Sequence, residues 1–410
     1  MQKLKDRKQV RNLSLLCMAV YMVSYISRIN LGAVMVELVA TGYAPMTTAA
    51  LALTLCSVTY GVGQVVSGWM GDRFRPHHLV LAGFCLTGAV NVSIGLLENG
   101  AWLAALWAVN GFAQALMWPP LVVILSSCME ADDYNRAVMR VSWGSSFGTI
   151  AVYLLSPVLL QFTGVQSVFV LSGLAALAMG GLWTYSIRRH YEDYIPAGRP
   201  AATVQQAAEK PAMGRPVICL IAWIMLAIVL QGALRDGVSN WMPTYVSDTF
   251  RLSSAASILT GVILPLFGLG CYQLTSFVQK RWIRNETLCA GAIFALGLAA
   301  AAVLCLTGGR NIAVSLLCLA LLTGSMHGVN LLLIGFVPRY FARFGRTALI
   351  SGVLNSATYI GSALSNYGTA AIAESFGWSS TIVTWTVIAL AGTAVCLLLT
   401  RRWQAFKEKA

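Results

Sequence analysis

Two arginines stand where a charge is hardest to keep. Arg28 lies in the apolar stretch 13–36 and Arg235 in the stretch 216–246. An arginine at the centre of a bilayer costs about 2.5–3.5 kcal/mol on insertion scales, so where one persists it faces a wet cavity or a partner. Its planar guanidinium grips the oxygens of a phosphate or carboxylate through paired hydrogen bonds. The chemistry on offer is therefore capture of a small anion. The alternative is snorkelling to the membrane surface. Arg28 has eight residues still to cross, Ile29 to Val36, about 12 Å at 1.5 Å per residue, beyond comfortable side-chain reach. Arg235 lies roughly 9 Å deeper than Trp241, which together with Tyr245 reads as an interfacial anchor.

Other side chains in these stretches could support such a site. Asp236 follows Arg235, so it points about 100° around the helix, towards a neighbouring helix or towards the ligand. His327 could bind substrate, relay a proton or hydrogen-bond a neighbour. Tyr25, Asn30, Tyr60 and Gln114 offer polar groups, as do Asn330, Asn355 and Tyr359 later in the chain. Trp118-Pro119-Pro120 predicts a kink, because the prolines remove two backbone hydrogen bonds, and it sets Trp118 beside the same space.

The elements that must hold these residues follow from composition. Of 410 residues, 57% are hydrophobic and only 10% charged, too few to clothe a water-facing surface. Mean hydropathy is +0.70. Apolar runs near the ~20 residues needed to cross ~30 Å of hydrocarbon recur along the chain. They predict twelve spans: 13–36, 47–70, 78–97, 101–127, 138–162, 166–187, 216–246, 253–279, 286–307, 311–337, 347–373 and 378–400. The chain thus reads as an N-terminal six-helix bundle (1–187), a polar Ala/Pro/Gln-rich linker (188–215) and a C-terminal six-helix bundle (216–410).

Charge then orients the spans. Of the 28 basic residues, 24 fall at the termini or in loops on one side, and only Arg251 and Arg310 on the other. The positive-inside rule makes both termini and the linker cytoplasmic, and explains the net charge of +13 without any nucleic acid. Sequons at Asn12, Asn91 and Asn285 fall inside spans or on the cytoplasmic side, which suits a bacterial inner membrane. The basic start runs into the first apolar segment without a small-residue cleavage site, so that span is expected to anchor itself. Ten cysteines without a CxxC read as small core hydrophobes.

The halves also look repeated. Arg28 and Arg235 are 207 residues apart, and Asp72 and Lys280, in corresponding loops, are 208 apart. Parallel six-span repeats with a site near the midplane describe a transporter that rocks one half against the other. No catalytic triad, metal cluster or nucleotide-binding loop is present, so neither an enzyme nor a cofactor is expected.

Local motifs narrow this further. Gly68-Trp-Met-Gly-Asp72-Arg73-Phe-Arg75-Pro76 resembles the loop signature of the major facilitator superfamily, whose charged residues gate the cytoplasmic helix ends; Arg136, after the fourth span, is grouped with that loop. Tyr25-Ile-Ser-Arg28-Ile-Asn30, Tyr60-Gly61, Asn110-Gly111-Phe-Ala-Gln114 with Trp118-Pro119-Pro120, and Leu234-Arg235-Asp236-Gly237-Val238-Ser-Asn-Trp241-Met-Pro243-Thr244-Tyr245 resemble elements of the organophosphate:phosphate antiporters. The resemblance spans both halves. It implies the major facilitator fold, all-α with twelve transmembrane helices in two pseudo-symmetric bundles, and Arg28 and Arg235 as substrate residues. Three cationic positions of several relatives are occupied here by Ile29, Gln64 and Phe147, which implies a less positive site that could take a singly charged anion.

The expected function is exchange of a small organophosphate for inorganic phosphate by a monomer. Proton-coupled transport of another solute, using Asp236, His327 or Glu37, and a membrane sensor that keeps the transporter fold are the alternatives.

Overall fold

The computed structural model describes residues 3–4, 6–97, 100–195, 213–307, 310–344 and 347–408. The elements among the described residues are all helical, without a strand. The first six apolar stretches become α1 (Arg7–Ala40), α2 (Met46–Arg73), α3 (Pro76–Leu96), α4 (Leu103–Ala115) followed by α5 (Trp118–Cys128), α6 (Ala131–Thr163) and α7 (Val165–His190). The second six become α8 (Arg215–Phe250), α9 (Ser254–Thr260) followed by α10 (Ile263–Arg281), α11 (Glu286–Thr307), α12 (Ile312–Asn330) and α13 (Thr347–Glu408). Most helices outrun their apolar stretch, because polar end turns cost nothing once they leave the hydrocarbon. Of the expected linker, residues 196–212 lie outside the described residues.

Where helices break, the sequence says why. Between α4 and α5 the expected kink is a full interruption, with Leu116 and Met117 donating to carbonyls three residues back and the prolines in the first turn of α5, where their missing N–H groups would have had no partner anyway. After α12 the ladder widens into a π-turn, Leu331–Phe336, then tightens to 3₁₀ over Val337–Phe344, around Gly335 and Pro338. The apolar part of α13 runs 57 residues, about 85 Å as one helix and far more than one crossing needs. Gly377, at φ 77°, divides it into two arms, so the described residues hold twelve spans long and apolar enough to cross a membrane.

The chain forms two compact units, Met1–Gln205 with Ser254–Leu259, and Gln206–Ser253 with Thr260–Ala410. Within the first, α1 packs on α6, α2 on α4, and α3 on α7. Within the second, α8 packs on the first arm of α13, α10 on α12, and α11 on the second arm. Each unit thus pairs its first span with its fifth, its second with its fourth and its third with its sixth. Turn geometry repeats as well: Gly164 (φ 81°) stands where Gly377 does, and Gly42 (φ 71°) after α1 has as its counterpart Arg251 (φ 53°) after α8.

Small residues set these pairings. Gly144 and Gly148 on α6 lie against the backbone carbonyls of Met18 and Met22 on α1, leaving no space for a Cβ. Gly232 on α8 and Gly361 on α13 meet the opposing carbonyls of Thr358 and Val229 in the same way. Such close approach supplies the dispersion contacts that associate helices where lipid offers no hydrophobic gradient. All ten cysteines are free thiols; seven are buried as expected, whereas Cys85, Cys219 and Cys305 lie on exposed faces.

Candidate functional site

In the first unit, α1 divides its polar residues between two faces. Ser27 and Asn30, 60° apart around the helix, turn inward and are fully buried. Asn30 Nδ2 donates to Asn91 Oδ1 on α3 at 2.8 Å, while Asn91 and Asn110 donate to the Ser27 carbonyl at 3.2 and 3.0 Å. Gln114 Nε2 donates to Ser27 Oγ and Thr87 Oγ1, both at 3.3 Å. Asn30 and Gln114 therefore bolt α1, α3 and α4 together, and neither offers its amide nitrogen to a ligand.

The other face of α1 carries Tyr21, Tyr25 and Arg28 in one stripe. The Arg28 guanidinium carbon lies 4.1 Å from the ring centroid of Tyr60 on α2 and 5.3 Å from that of Tyr25. Aromatic contact continues from Tyr25 to Tyr21 at 5.0 Å and from Tyr21 to Trp118 at 5.1 Å. These rings hold a half-buried cation by their negative faces without neutralising it. One turn beyond Tyr60, Gln64 has its Nε2 buried with no hydrogen-bond partner among the described residues. The structure thus brings Arg28, Tyr25, Tyr60 and Trp118 into one row.

In the second unit Arg235 is treated differently. Its Nε and Nη2 donate to the two carboxylate oxygens of Asp236 at 2.6 and 2.9 Å, a side-on bidentate pair. Ser362 Oγ on α13 donates to Asp236 Oδ2 in a short hydrogen bond. The 100° offset expected between the two side chains is thus closed by rotation of both, since adjacent opposite charges in a poorly solvated setting gain more from pairing than from separate partners. Asp236 serves the arginine and the neighbouring helix together.

The expected interfacial anchors are corrected. Trp241 and Tyr245 are buried, at 0% and 1% exposure. Trp241 Nε1 donates to the Asn366 carbonyl of α13 at 3.1 Å, Asn240 Nδ2 to the Asn366 side chain at 3.0 Å, and Tyr245 packs edge-on to Trp378 at 5.5 Å. These aromatics fasten α8 to α13; α8 is long enough, at 36 residues, to place its true surface turns beyond them. His327 on α12 is half-buried beside Gly268 of α10 and 5.6 Å from the Tyr272 ring, within electrostatic range of Arg235 and Asp236.

Of the gating-loop residues, α2 runs through Gly68, Asp72 and Arg73, but their side chains lie outside the described residues. Arg136 forms an exposed 2.6 Å ion pair with Asp133 one turn earlier. Sequence reasoning missed Ser27, Thr87, Asn91, Ser362 and Asn366. The available signal was polarity inside apolar spans, where each such group needs a buried partner.

Known proteins resemble the chain over most of its length. It is 22% identical over 386 residues to a probable hexose phosphate transport protein of Chlamydia trachomatis serovar D, covering 86% of this chain and 81% of that one. It is 25% identical over 403 residues to the membrane sensor protein UhpC of Salmonella typhimurium, covering 92% and 88%. Its fold matches the inward-facing structure of a bacterial homolog of the human lysosomal transporter Spinster with a TM-score of 0.77 at 13% identity, over 98% and 99% of the two chains. The family model for the Major Facilitator Superfamily matches residues 17–366. The two repeated six-span units, the half-buried arginine in each and these matches agree: the chain belongs to the Major Facilitator Superfamily, among the members that resemble the organophosphate:phosphate antiporters.

Proposed function

We propose that this membrane protein is a secondary transporter that moves a small organic anion, an organophosphate, in exchange for inorganic phosphate by alternating access. The observation that carries the reading is one membrane-embedded arginine per unit at equivalent positions, Arg28 held by tyrosine faces and Arg235 by Asp236. Arg28, lined by Tyr25, Tyr60, Gln64 and Trp118, and Arg235, with His327 near it, are the proposed substrate residues of their respective units. Similarity to a hexose phosphate transport protein supports the substrate class. The chain works as a monomer, with both termini cytoplasmic in a bacterial inner membrane.

A second reading has its own support. Similarity to a membrane sensor over 92% of this chain is as extensive as that to the transporter, so a protein that binds the anion and signals instead of carrying it is the competing function. Counterflow separates them. Purified protein in liposomes loaded with phosphate should accumulate one of a panel of labelled phosphorylated or carboxylated metabolites. Binding without accumulation favours the sensor, and uptake driven by a pH gradient with no internal anion favours proton coupling.

A further inference from the structure

The final turns of α7 carry a groove that the anion site does not use. Gly181, Thr184, Tyr185 and Arg188 fall at i, i+3, i+4 and i+7, so they share one face of the helix. With Arg189, and with Leu81 of α3, they line a cavity of about 640 Å³ that opens on the surface of the first unit. Its walls are fixed from behind. Trp183 Nε1 donates to the His77 carbonyl of α3 at 3.0 Å, and Gly88 and Gly173 let the two helices close on each other further along. Gly181 is what leaves the space: a Cβ there would meet no atom within 4 Å.

Two cations stand at the mouth. Arg189 Nη1 donates to Tyr185 Oη at 2.6 Å and its guanidinium lies 5.7 Å from that ring, which fixes its place in the lining while most of its N–H groups remain to be used. Arg188 is exposed, and neither arginine pairs with a carboxylate among the described residues; Glu192 is held by Arg75 at 2.9 Å instead. Basic residues in the last turn of a helix offset its carbonyl dipole, and that role asks for no ligand. It does not account for the cavity beneath them. From Arg188 to Gly181 is seven residues, about 10 Å along the helix, so when the arginines stand at headgroup level the floor of the groove lies among acyl carbons. Leu177 and Leu174, one and two turns further, continue the same exposed stripe. A free phosphate would satisfy the arginines and leave this floor bare, whereas an amphiphile with an anionic head and a hydrocarbon tail matches both.

We propose that the groove between α3 and α7 binds one anionic phospholipid, its phosphodiester held by Arg188 and Arg189 and an acyl chain lying over Leu81 and Gly181. Guanidiniums grip the phosphodiester oxygens through charged hydrogen bonds, and a zwitterionic lipid is disfavoured because its head brings a second cation to the pair. The site shares no residue with the Arg28 row, so it holds whether the protein carries its anion or only senses it.

Native mass spectrometry of the purified full-length protein in neutral detergent counts bound lipid directly. Titrated with phosphatidylglycerol and phosphatidylcholine of the same chains, wild type should retain one phosphatidylglycerol that an about tenfold excess of phosphatidylcholine does not displace. Glycerol 3-phosphate, the same head without chains, should not displace it either. Arg188→Gln combined with Arg189→Gln should weaken that lipid by about tenfold or more, since each arginine near a headgroup is worth roughly fivefold. Gly181→Phe keeps both charges, fills the open space and should weaken it to a similar degree. Arg401→Gln combined with Arg402→Gln removes the same net charge from the exposed end of α13 and should leave the lipid in place. Equal retention of the two lipids by wild type, displacement by glycerol 3-phosphate, undiminished binding in Gly181→Phe, or equal loss in the α13 variant each overturns the proposal. Where a variant does not fold, the wild-type comparison of the two lipids and glycerol 3-phosphate decides.

Discussion

Replacing Arg28 by lysine keeps the charge and removes the plane, which isolates what the geometry contributes. The guanidinium lies 4.1 Å from the Tyr60 ring centroid and 5.3 Å from that of Tyr25. Cation–π contacts are worth about 0.5–1 kcal/mol when exposed and about 2 kcal/mol when desolvated, so two partly buried ones contribute about 1–3 kcal/mol to holding the group in place. A lysine also offers a phosphate a point charge where arginine offers two parallel hydrogen bonds, at about 1.5–3 kcal/mol for each charged bond. Losing one bond and part of the ring contact should cost about 2–4 kcal/mol, a fall in apparent anion affinity of roughly 30- to 1,000-fold. The assay is phosphate counterflow in liposomes, with thermal unfolding in detergent to show that the variant is folded. Tyr60→Phe retains the ring face and should transport within about threefold of wild type, whereas Tyr60→Leu should lose about tenfold. Near-normal affinity in Arg28→Lys, or equal damage from Tyr60→Phe and Tyr60→Leu, would refute the argument.

Two further outcomes concern buried charge. Glu286 is fully buried and accepts from Tyr340 Oη at 2.6 Å, Trp403 Nε1 at 2.9 Å and Lys407 Nζ at 2.8 Å; removing the countercharge in Lys407→Met should therefore destabilise the protein by about 3–5 kcal/mol, and adding Glu286→Gln should recover part of it in thermal unfolding. A Lys407→Met protein as stable as wild type would show that solvent reaches the carboxylate. Gln64→Lys places a cation one turn from Tyr60, where a charge pair at 4 Å is worth about 4 kcal/mol at an effective dielectric of 20 before desolvation, so it should raise the preference for a phosphomonoester over its methyl diester at least tenfold in competition above pH 7. A well-folded variant with unchanged preference would remove Gln64 from the site.

How much of this was legible depended on whether a feature is a matter of composition or of pairing. Twelve crossings follow from hydropathy, and the break before α5 from two adjacent prolines, because both are local consequences of the chain. Arg28 and Arg235 stand out because an intramembrane charge is expensive wherever it sits. Trp241 was misjudged for the complementary reason: an indole serves a membrane surface and a helix interface equally well, and only the position of Asn366, 125 residues away, decides between them. The same holds for Asn30 and Gln114. Their polarity announced a need for partners, but Asn91, Ser27 and Thr87 lie on other spans, and no local pattern records which amide meets which. Asp236 turned back onto its neighbour because Ser362, distant in sequence, fixes its far oxygen.

That last contact changes what exchange should look like. If Arg235 takes the anion, as proposed, an uncompensated guanidinium would be costly to carry through the empty transporter, and only a bound anion would relieve the cost of reorientation. With Asp236 already paired to Arg235, most of that penalty is absent. Wild type should therefore show net efflux into anion-free buffer at an appreciable fraction of its exchange rate, faster exchange remaining the expected order. Asp236→Asn removes that countercharge. At an effective dielectric near 20 a charge pair 4 Å apart is worth about 4 kcal/mol before desolvation, so losing the countercharge should slow the empty transition by well over tenfold while leaving the loaded one nearly unchanged. The ratio of exchange to net efflux, measured with labelled phosphate in the same liposome preparation, should thus rise by at least tenfold in the variant. An equal ratio in the two proteins would mean that Asp236 does not govern the charge felt by the empty site, and that whatever couples the two fluxes lies elsewhere in the chain.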